Sequence, residues 1–231
     1  MNLNSLSLVI PNHNGGRVIE PSVREYYNIF APKFKDFEII VVCNGCTDNS
    51  VEICKRLERQ FPLRTIEIPQ RGKGYALIRG FNEAVFEIFG FLDADNPFDL
   101  ERINEMIEHL RENHVVIASK YTKGNARLQD SQLRRIISLG GGAISRILFG
   151  LKVADTQAGA KFFRREVWER INRNFVCKGF DFDIEFLYKA KKSKAKVKEI
   201  YTPFRYEQFS TVRLKYLPGM LKRLFKLRFL K

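Results

Sequence analysis

"EIIVVCNGCTDNS", residues 38–50, supports two incompatible readings. Cys43 and Cys46 stand in the C-x-x-C spacing of zinc sites and dithiol redox loops. The residues before them are a run of apolar and β-branched side chains, the mark of a buried strand, and Asn, Gly and Asp follow as a loop would require. A tetrahedral zinc site needs more ligands than one C-x-x-C supplies. Cys54 and Cys177 make no second pair, and His13, His109 and His114 have no metal-ligand spacing. We therefore read 37–43 as a strand and the cysteines as part of the loop at its C-terminal end.

Working outward, the same pattern recurs. "SLSLVIP" (5–11), "LRTIEIP" (63–69), "FEIFGFLDAD" (86–95) and "HVVIASK" (114–120) read as further strands. Helical patterns fall between them near 18–30, 49–61, 74–86 and 99–112. In the last, Ile103, Met106, Ile107 and Leu110 follow i, i+3, i+4, i+7. Later helices are expected at 131–149, 164–172 and 181–192. Strand–helix alternation predicts an α/β fold, a mainly parallel central sheet with helices on both faces. Ligands of such sheets bind beyond the C-terminal strand ends. "PNHNGG", "CNGCTD" and "DADNPFD" occupy those ends. No repeat or low-complexity linker divides the chain, so 1–210 reads as one domain and 211–231 as an appended basic tail.

Composition narrows the classes. Of 231 residues, 45% are hydrophobic and 29% charged, which suits a globular chain rather than a disordered one. No run approaches the roughly 18 apolar residues of a membrane span, and "MNLNSLSLVIPN" lacks the basic region of a signal peptide. Four cysteines make no disulfide framework, so a reduced, cytoplasmic protein is expected. Lys plus Arg number 40 and Asp plus Glu 26, a net charge of +14 that attracts polyanions.

Three segments carry candidate chemistry. Asp93 and Asp95 flank Ala94 just after a strand; paired carboxylates repel unless a cation holds them, and the pair suits Mg²⁺ or Mn²⁺. A solvated loop before Asp99 is the plain alternative. Arg71, Gly72, Lys73 and Gly74 precede a helix, where glycines, a helix N-terminus and two cations suit a diphosphate; an ordinary basic turn is the alternative. Asp181, Asp183 and Glu185 surround a later helix start, where acids also serve the helix dipole.

Taken in order, "VCNGCTD", "RGKGYA", "DAD", "SKY" (119–121), "DTQAGAKFF" and "FDIEF" (182–186), together with Pro11, resemble glycosyltransferase family 2 over roughly residues 5–230. More narrowly they resemble the dolichyl- and polyprenyl-phosphate mannose and glucose synthases. The resemblance implies a GT-A nucleotide-sugar-binding fold. It also implies inverting transfer of a hexose, mannose or glucose, from a nucleotide-diphosphate sugar to a polyprenyl phosphate. By position in the motifs, Pro11, Asn12, Asn14, Cys43, Asn44, Asp48, Arg71, Gly72, Lys73, Ala94 and Gln157 would bind the nucleotide sugar. Asp93 and Asp95 would hold Mg²⁺ or Mn²⁺ and, with Asp183, form the catalytic set. Lys120, Arg134, Arg135 and Arg213 would hold the acceptor phosphate. Asp183 falls where relatives with hydroxyl acceptors place a general base; orienting a sugar hydroxyl is the other role.

The chain departs from the family pattern in places. Cys43 and Asn44 replace two aspartates, and Cys46 replaces a serine, while Asp48 matches. "PNHNGG" lacks the usual Glu, Lys120 replaces Arg, Pro97 stands where mannose synthases can carry a metal-binding Gln, and "FSTVRL" (209–214) reduces a late G-S-K-L segment. Asn44 can both donate and accept, so it could read a base edge. Residues 213–231 hold seven cations and no acid. Leu217, Leu221, Leu224 and Phe225 can share one helical face, with Lys222, Arg223 and Lys226 outside it, as in a helix lying on an anionic membrane. A helix packed on the body is the alternative. Peripheral attachment to the cytoplasmic face of the cell membrane, directly or through a membrane-protein partner, is expected, and nucleic acid is not. Two other readings stay open: a family 2 enzyme with a polysaccharide, lipid or protein hydroxyl acceptor, and a non-catalytic nucleotide-sugar binder.

Overall fold

The computed structural model describes residues 3–95, 98–119, 146–202 and 217–229. In chain order these form β1 (Ser5–Asn12), α1 (Ile19–Phe30), β2 (Asp36–Asn44), α2 (Ser50–Leu57), β3 (Leu63–Ile68), α3 (Lys73–Glu83), β4 (Ile88–Leu92) and α4 (Leu100–Glu108). A 3₁₀ turn (His109–Arg111), β5 (Val115–Ser119), β6 (Ala160–Arg164), α5 (Arg165–Ile171), α6 (Phe182–Lys192), β7 (Val197–Tyr201) and α7 (Leu217–Phe229) follow. Residues 146–149 are also helical; the rest of the helix expected over 131–149 lies outside the described residues.

The sheet runs β3-β2-β1-β4-β6-β5-β7. β1, β2, β3 and β4 are mutually parallel, and β5 pairs parallel with β7. β6 is antiparallel to both neighbours and separates β4 from β5. The sheet is therefore mainly parallel, as expected. The sequence pattern does not reveal β6, because "AKFFR" is short and runs straight into α5, nor β7, whose "VKEIY" mixes charges with apolar residues at a partly exposed edge.

Alternation along the strands splits the core into two. Leu6, Leu8 and Ile10 of β1 and Ile39, Val41 and Cys43 of β2 face α1, α2 and α4. Val9, Ile40 and Val42 face the other way, onto α3, α5, α6 and α7. Strands covered on both faces read as continuous apolar runs, which is why β1, β2, β4 and β5 are visible in the sequence; β3, at the sheet edge, mixes apolar with charged residues and is marked instead by its β-branched content. In α4 all four expected residues, Ile103, Met106, Ile107 and Leu110 with the turn that follows, are buried. Asp99 caps it, accepting from Glu101 N at 3.0 Å and Arg102 N at 3.4 Å.

The tail corrects one expectation. Met220, Leu224 and Leu227 of α7 are buried, with Leu224 and Leu227 in the second core cluster, while Phe225 is 49% exposed. The buried stripe thus follows i, i+4, i+7 from Met220, not the face expected to unite Leu224 with Phe225. An ion pair from Arg223 to the buried Asp181 holds this rotation. None of the described helices is long and apolar enough to cross a membrane.

Candidate active site

Parallel strands bring the ends of β1, β2 and β4 to one edge of the sheet. The register pairs Asn12 with Cys43 and Asn44 with Ile68, so the "PNHNGG", "CNGCTD" and "PQRGKG" loops lie side by side. β6 starts at that edge: Ala160 pairs with Leu92, and Asp93 N donates to Gly159 O at 3.0 Å. Gly159 is required there, since a Cβ would sit 2.3 Å from Asp93 Oδ2.

The centre of the site is a set of paired charges. Lys73 Nζ lies 2.9 Å from Asp93 Oδ1 and 3.5 Å from Asp183 Oδ2. Lys161 Nζ lies 2.6 Å from Asp183 Oδ1 and donates to Ala158 O at 2.7 Å. The Lys161 side chain is 0% exposed and that of Asp183 2%. Both ammoniums lie over the Phe91 ring, at 4.8 Å and 5.2 Å from its centroid, a favourable cation–π placement. Burial works against the charge on Lys73, but Asp183 and Asp93 outweigh it and raise its pKa. At Lys161 burial wins, helped by the charge of Lys73, and the pKa falls despite Asp183.

Two lysines balance Asp93 and Asp183, which leaves Asp95 as the surplus carboxylate. Burial, and then the charge of Asp93, push its pKa above the ordinary value. Such a pair gains from a hard cation, and two carboxylates plus substrate oxygens and water suit Mg²⁺ or Mn²⁺. Tyr26 supports the turn by donating to Asp93 O at 2.6 Å, and Ser22 donates to the carbonyl of Ala94.

The glycine turn is seated on the loop before α6. Gly72 has φ +148°, a conformation for glycine alone, and a Cβ there would meet Lys178 O at 2.5 Å. A Cβ on Gly74 would lie 2.7 Å from the Lys178 carbonyl carbon, and Tyr75 N donates to Lys178 O at 3.2 Å. Arg71 is exposed beside this turn. Glu185 braces the same loop from α6, accepting from Val176 N at 2.9 Å and Cys177 N at 2.6 Å.

In the loops after β1 and β2 most polar groups are engaged with one another. Asn44 is 3% exposed; with its amide turned so that donors meet acceptors, it donates to Asn12 O and accepts from Gly72 N, both at 2.9 Å. That pins three loops together. Asn14 Oδ1 accepts from Thr47 N at 2.7 Å, and Asp48 accepts from Gly16 N at 3.0 Å and Ser50 N at 3.1 Å. His13 Nδ1 lies 2.9 Å from Asn44 O. Asn12 is 1% exposed, donates to Cys43 Sγ at 3.6 Å and has no partner for Oδ1 among the described residues. Cys43 lies 4.0 Å from Cys54, sulfur to sulfur; that contact draws its pKa down to about 7. Cys46 donates to Asn12 O at 3.4 Å. Pro11 is half-buried at the end of β1. Gln157 is exposed, with its amide on Phe180 O at 3.0 Å.

The structure therefore brings Lys73, Asp93, Ala94, Asp95 and Asp183 together, with the β1 and β2 loops beside them. Lys120, Arg134, Arg135 and Arg213 lie outside the described residues. Lys161 is not among the expected site residues. Two signals point to it: it is the lysine of the "DTQAGAKFF" motif, and it lies inside the apolar strand "AKFFR", where a buried lysine is rare unless paired.

The sequence profile described as Glycosyl transferase family 2 matches residues 7–171. The dolichol-phosphate mannosyltransferase of Pyrococcus furiosus is 30% identical over 193 residues, 82% of this chain and 54% of that protein. The dolichyl-phosphate beta-glucosyltransferase ALG5C of Trichomonas vaginalis is 26% identical over 230 residues, 94% of this chain and 67% of that one. The chain thus spans about half the length of the first relative. Among solved structures, glucosyl-3-phosphoglycerate synthase from Mycobacterium tuberculosis in complex with UDP superposes with a TM-score of 0.70 at 21% identity. The match covers 97% of this chain and 80% of that one, and it identifies the fold as GT-A. With a family match over most of its length and a shared fold, the chain belongs to glycosyl transferase family 2.

Proposed function

We propose that the protein transfers a hexose, mannose or glucose, from a nucleotide-diphosphate sugar to the phosphate of a polyprenyl lipid at a membrane surface, with inversion. The observation that carries the choice of acceptor is the state of Asp183. A hydroxyl acceptor needs a base with a free lone pair within reach of its proton. Both oxygens of Asp183 instead face lysine ammoniums, at 2.6 Å and 3.5 Å, in a buried setting. A phosphate monoester has its second pKa near about 6 and is largely dianionic at neutral pH. It brings its own nucleophilic oxygen and asks only to be positioned. The names of the Pyrococcus and Trichomonas relatives agree with such an acceptor.

In this reading the "RGKG" turn receives the diphosphate at the start of α3, with Lys73 as its counter-charge. Mg²⁺ or Mn²⁺ held by Asp93 and Asp95 would neutralise charge on the departing nucleoside diphosphate. Asp183 orients, through Lys73 and Lys161 and through a donor hydroxyl, and takes no proton. The β1 and β2 loops, closed by Asn44, frame the nucleoside. Lys120, Arg134, Arg135 and Arg213 are assigned to the acceptor phosphate, residues 1–210 to the catalytic domain and 211–231 to surface attachment on the cytoplasmic side.

The test is a transfer assay with labelled UDP-glucose and GDP-mannose, polyprenyl phosphate in detergent, and Mn²⁺ or Mg²⁺. Label should move into the organic phase with one donor and stop on addition of a chelator. A folded protein that yields no lipid-linked sugar with either donor overturns the proposal. The buried Cys43, which stands where the resembled family pattern has an aspartate, favours a second reading, a nucleotide-sugar binder without turnover. Donor binding by calorimetry without transfer would select it.

A further inference from the structure

Helix α7 carries apolar side chains on two faces. Met220, Leu224 and Leu227 are buried against the body. Phe225 and Phe229, one turn apart, are instead 49% and 62% exposed, with ring centroids 6.0 Å apart. The helix end is tied to a second segment: Arg228 Nε donates to Leu148 O at 3.0 Å. On that segment Ile147 is 82% exposed, the most exposed large hydrophobic residue among those described. Arg228 also lies over the Phe229 ring, 5.5 Å from its centroid. Lys191, Lys192 and Arg228 line an open groove with Ile147. Lys222 and Lys226 are exposed along α7, and residues 213–231 contain no acid.

Exposed apolar residues scattered singly need no explanation, but a cluster of them does. Here they lie together within a ring of cations, so a complementary partner is apolar and anionic at once. A bilayer with anionic headgroups has both properties in one layer, since rings enter the acyl boundary while ammoniums and guanidiniums stay among the headgroups. We propose that Ile147, Phe225 and Phe229, ringed by Lys191, Lys192, Lys226 and Arg228, form a docking surface for an anionic lipid bilayer. It rests on the reading of a lipid-borne acceptor and adds where the membrane touches. Arg223, on the same helix, pairs with Asp181, two residues from Asp183. The docking helix is therefore tied directly to the helix that carries the site, and docking fixes the site's height above the membrane.

The experiment is co-sedimentation of the full chain with vesicles of phosphatidylcholine, with and without phosphatidylglycerol, free of polyprenyl phosphate and donor. The protein should partition onto the anionic vesicles only and be released at about 0.5 M salt. Phe225→Ser with Phe229→Ser should weaken partitioning by about tenfold or more while the circular dichroism spectrum is kept. If that variant unfolds, Ile147→Ser, which disturbs no buried contact, should show a smaller loss in the same direction. Three results overturn the proposal: no binding to anionic vesicles, folded variants that bind as well as the parent, or tighter binding to a single-stranded oligonucleotide than to the vesicles. The outcome is separable from the transferase reading, because transfer in detergent needs no bilayer and vesicle binding needs no acceptor.

Discussion

Lys161 and Asp183 show what two residues can decide. A buried ion pair adds little net stability, yet removing one partner strands the other charge at a cost of about 3–5 kcal/mol. Lys161→Met should therefore lower unfolding free energy in urea by an amount of that order, and Asp183→Leu in the Lys161→Met background should recover part of it. If Lys161→Met is as stable as the parent, the pair does not exist as described. Asp95 is predicted to behave differently, because its carboxyl is the surplus charge. Asp95→Asn should keep the fold and lose metal-dependent transfer, and a folded variant with near-parental activity would refute the metal assignment. Asp48 offers a pH test. The slight desolvation of this exposed carboxyl opposes its ionisation, but hydrogen bonds from Ser50 and from Gly16 N outweigh it and hold its pKa below 3.8. A depressed carboxylate stabilises above its unfolded pKa, and the gain fades as pH falls through its folded value. Asp48 is exposed, so solvent screens much of this gain; Asp48→Ala should cost less than about 1 kcal/mol at pH 7, and the gap to the parent should fade as pH falls below 3.8. A gap that persists at lower pH would show that the carboxylate charge is not the source.

At the scale of elements, the contact between the "RGKG" turn and the loop before α6 is the most sensitive joint. Alanine ordinarily improves on glycine inside a helix by about 1 kcal/mol. At Gly74 the new Cβ would lie 2.7 Å from the Lys178 carbonyl carbon, and backbone cannot step aside cheaply. Gly74→Ala should therefore destabilise, by about 1–3 kcal/mol, and weaken donor binding. Gly219→Ala, whose nearest neighbour is the flexible Arg223 guanidinium at 3.4 Å, should be neutral or stabilising. Equal melting shifts for the two would contradict the joint. Elements built from local pattern are legible in the sequence: β1, β2, β4 and β5 from apolar runs, β3 from its β-branched residues, α4 from its 3.6 period, and the strand-end loops from Gly, Asn and Asp. β6 is not, because an antiparallel insertion is specified by its pairing with β4 and β5 across the sheet, not by its own five residues. Lys161 stands in the "DTQAGAKFF" motif, but its pairing is hidden for the same reason: Asp183 is 22 residues away. The rotation of α7 is hard to read because two apolar stripes compete on it, and Arg223 decides between them through Asp181.

For the whole molecule, the sheet order sets the outcome. Parallel pairing of β1, β2 and β4 puts three loops at one edge, and β6 closes that edge by bringing Gly159 and Lys161 beside Asp93. A charge of +14 coexists with a carboxylate-rich centre because much of the positive charge lies elsewhere, including the tail. On the proposed reading, the cations of the tail face an anionic surface while Asp93, Asp95 and Asp183 serve metal and sugar. The central claim is that the acceptor supplies its own anionic nucleophile, since Asp183 is held by two lysines. The direct measurement is kcat/KM for polyprenyl phosphate against the matching polyprenol, with one donor and one metal. The account predicts transfer to the phosphate and none detectable to the alcohol, with a rate that falls as the phosphate dianion takes up a proton near about pH 6. Preferential transfer to the alcohol would contradict it and return Asp183 to the role of general base.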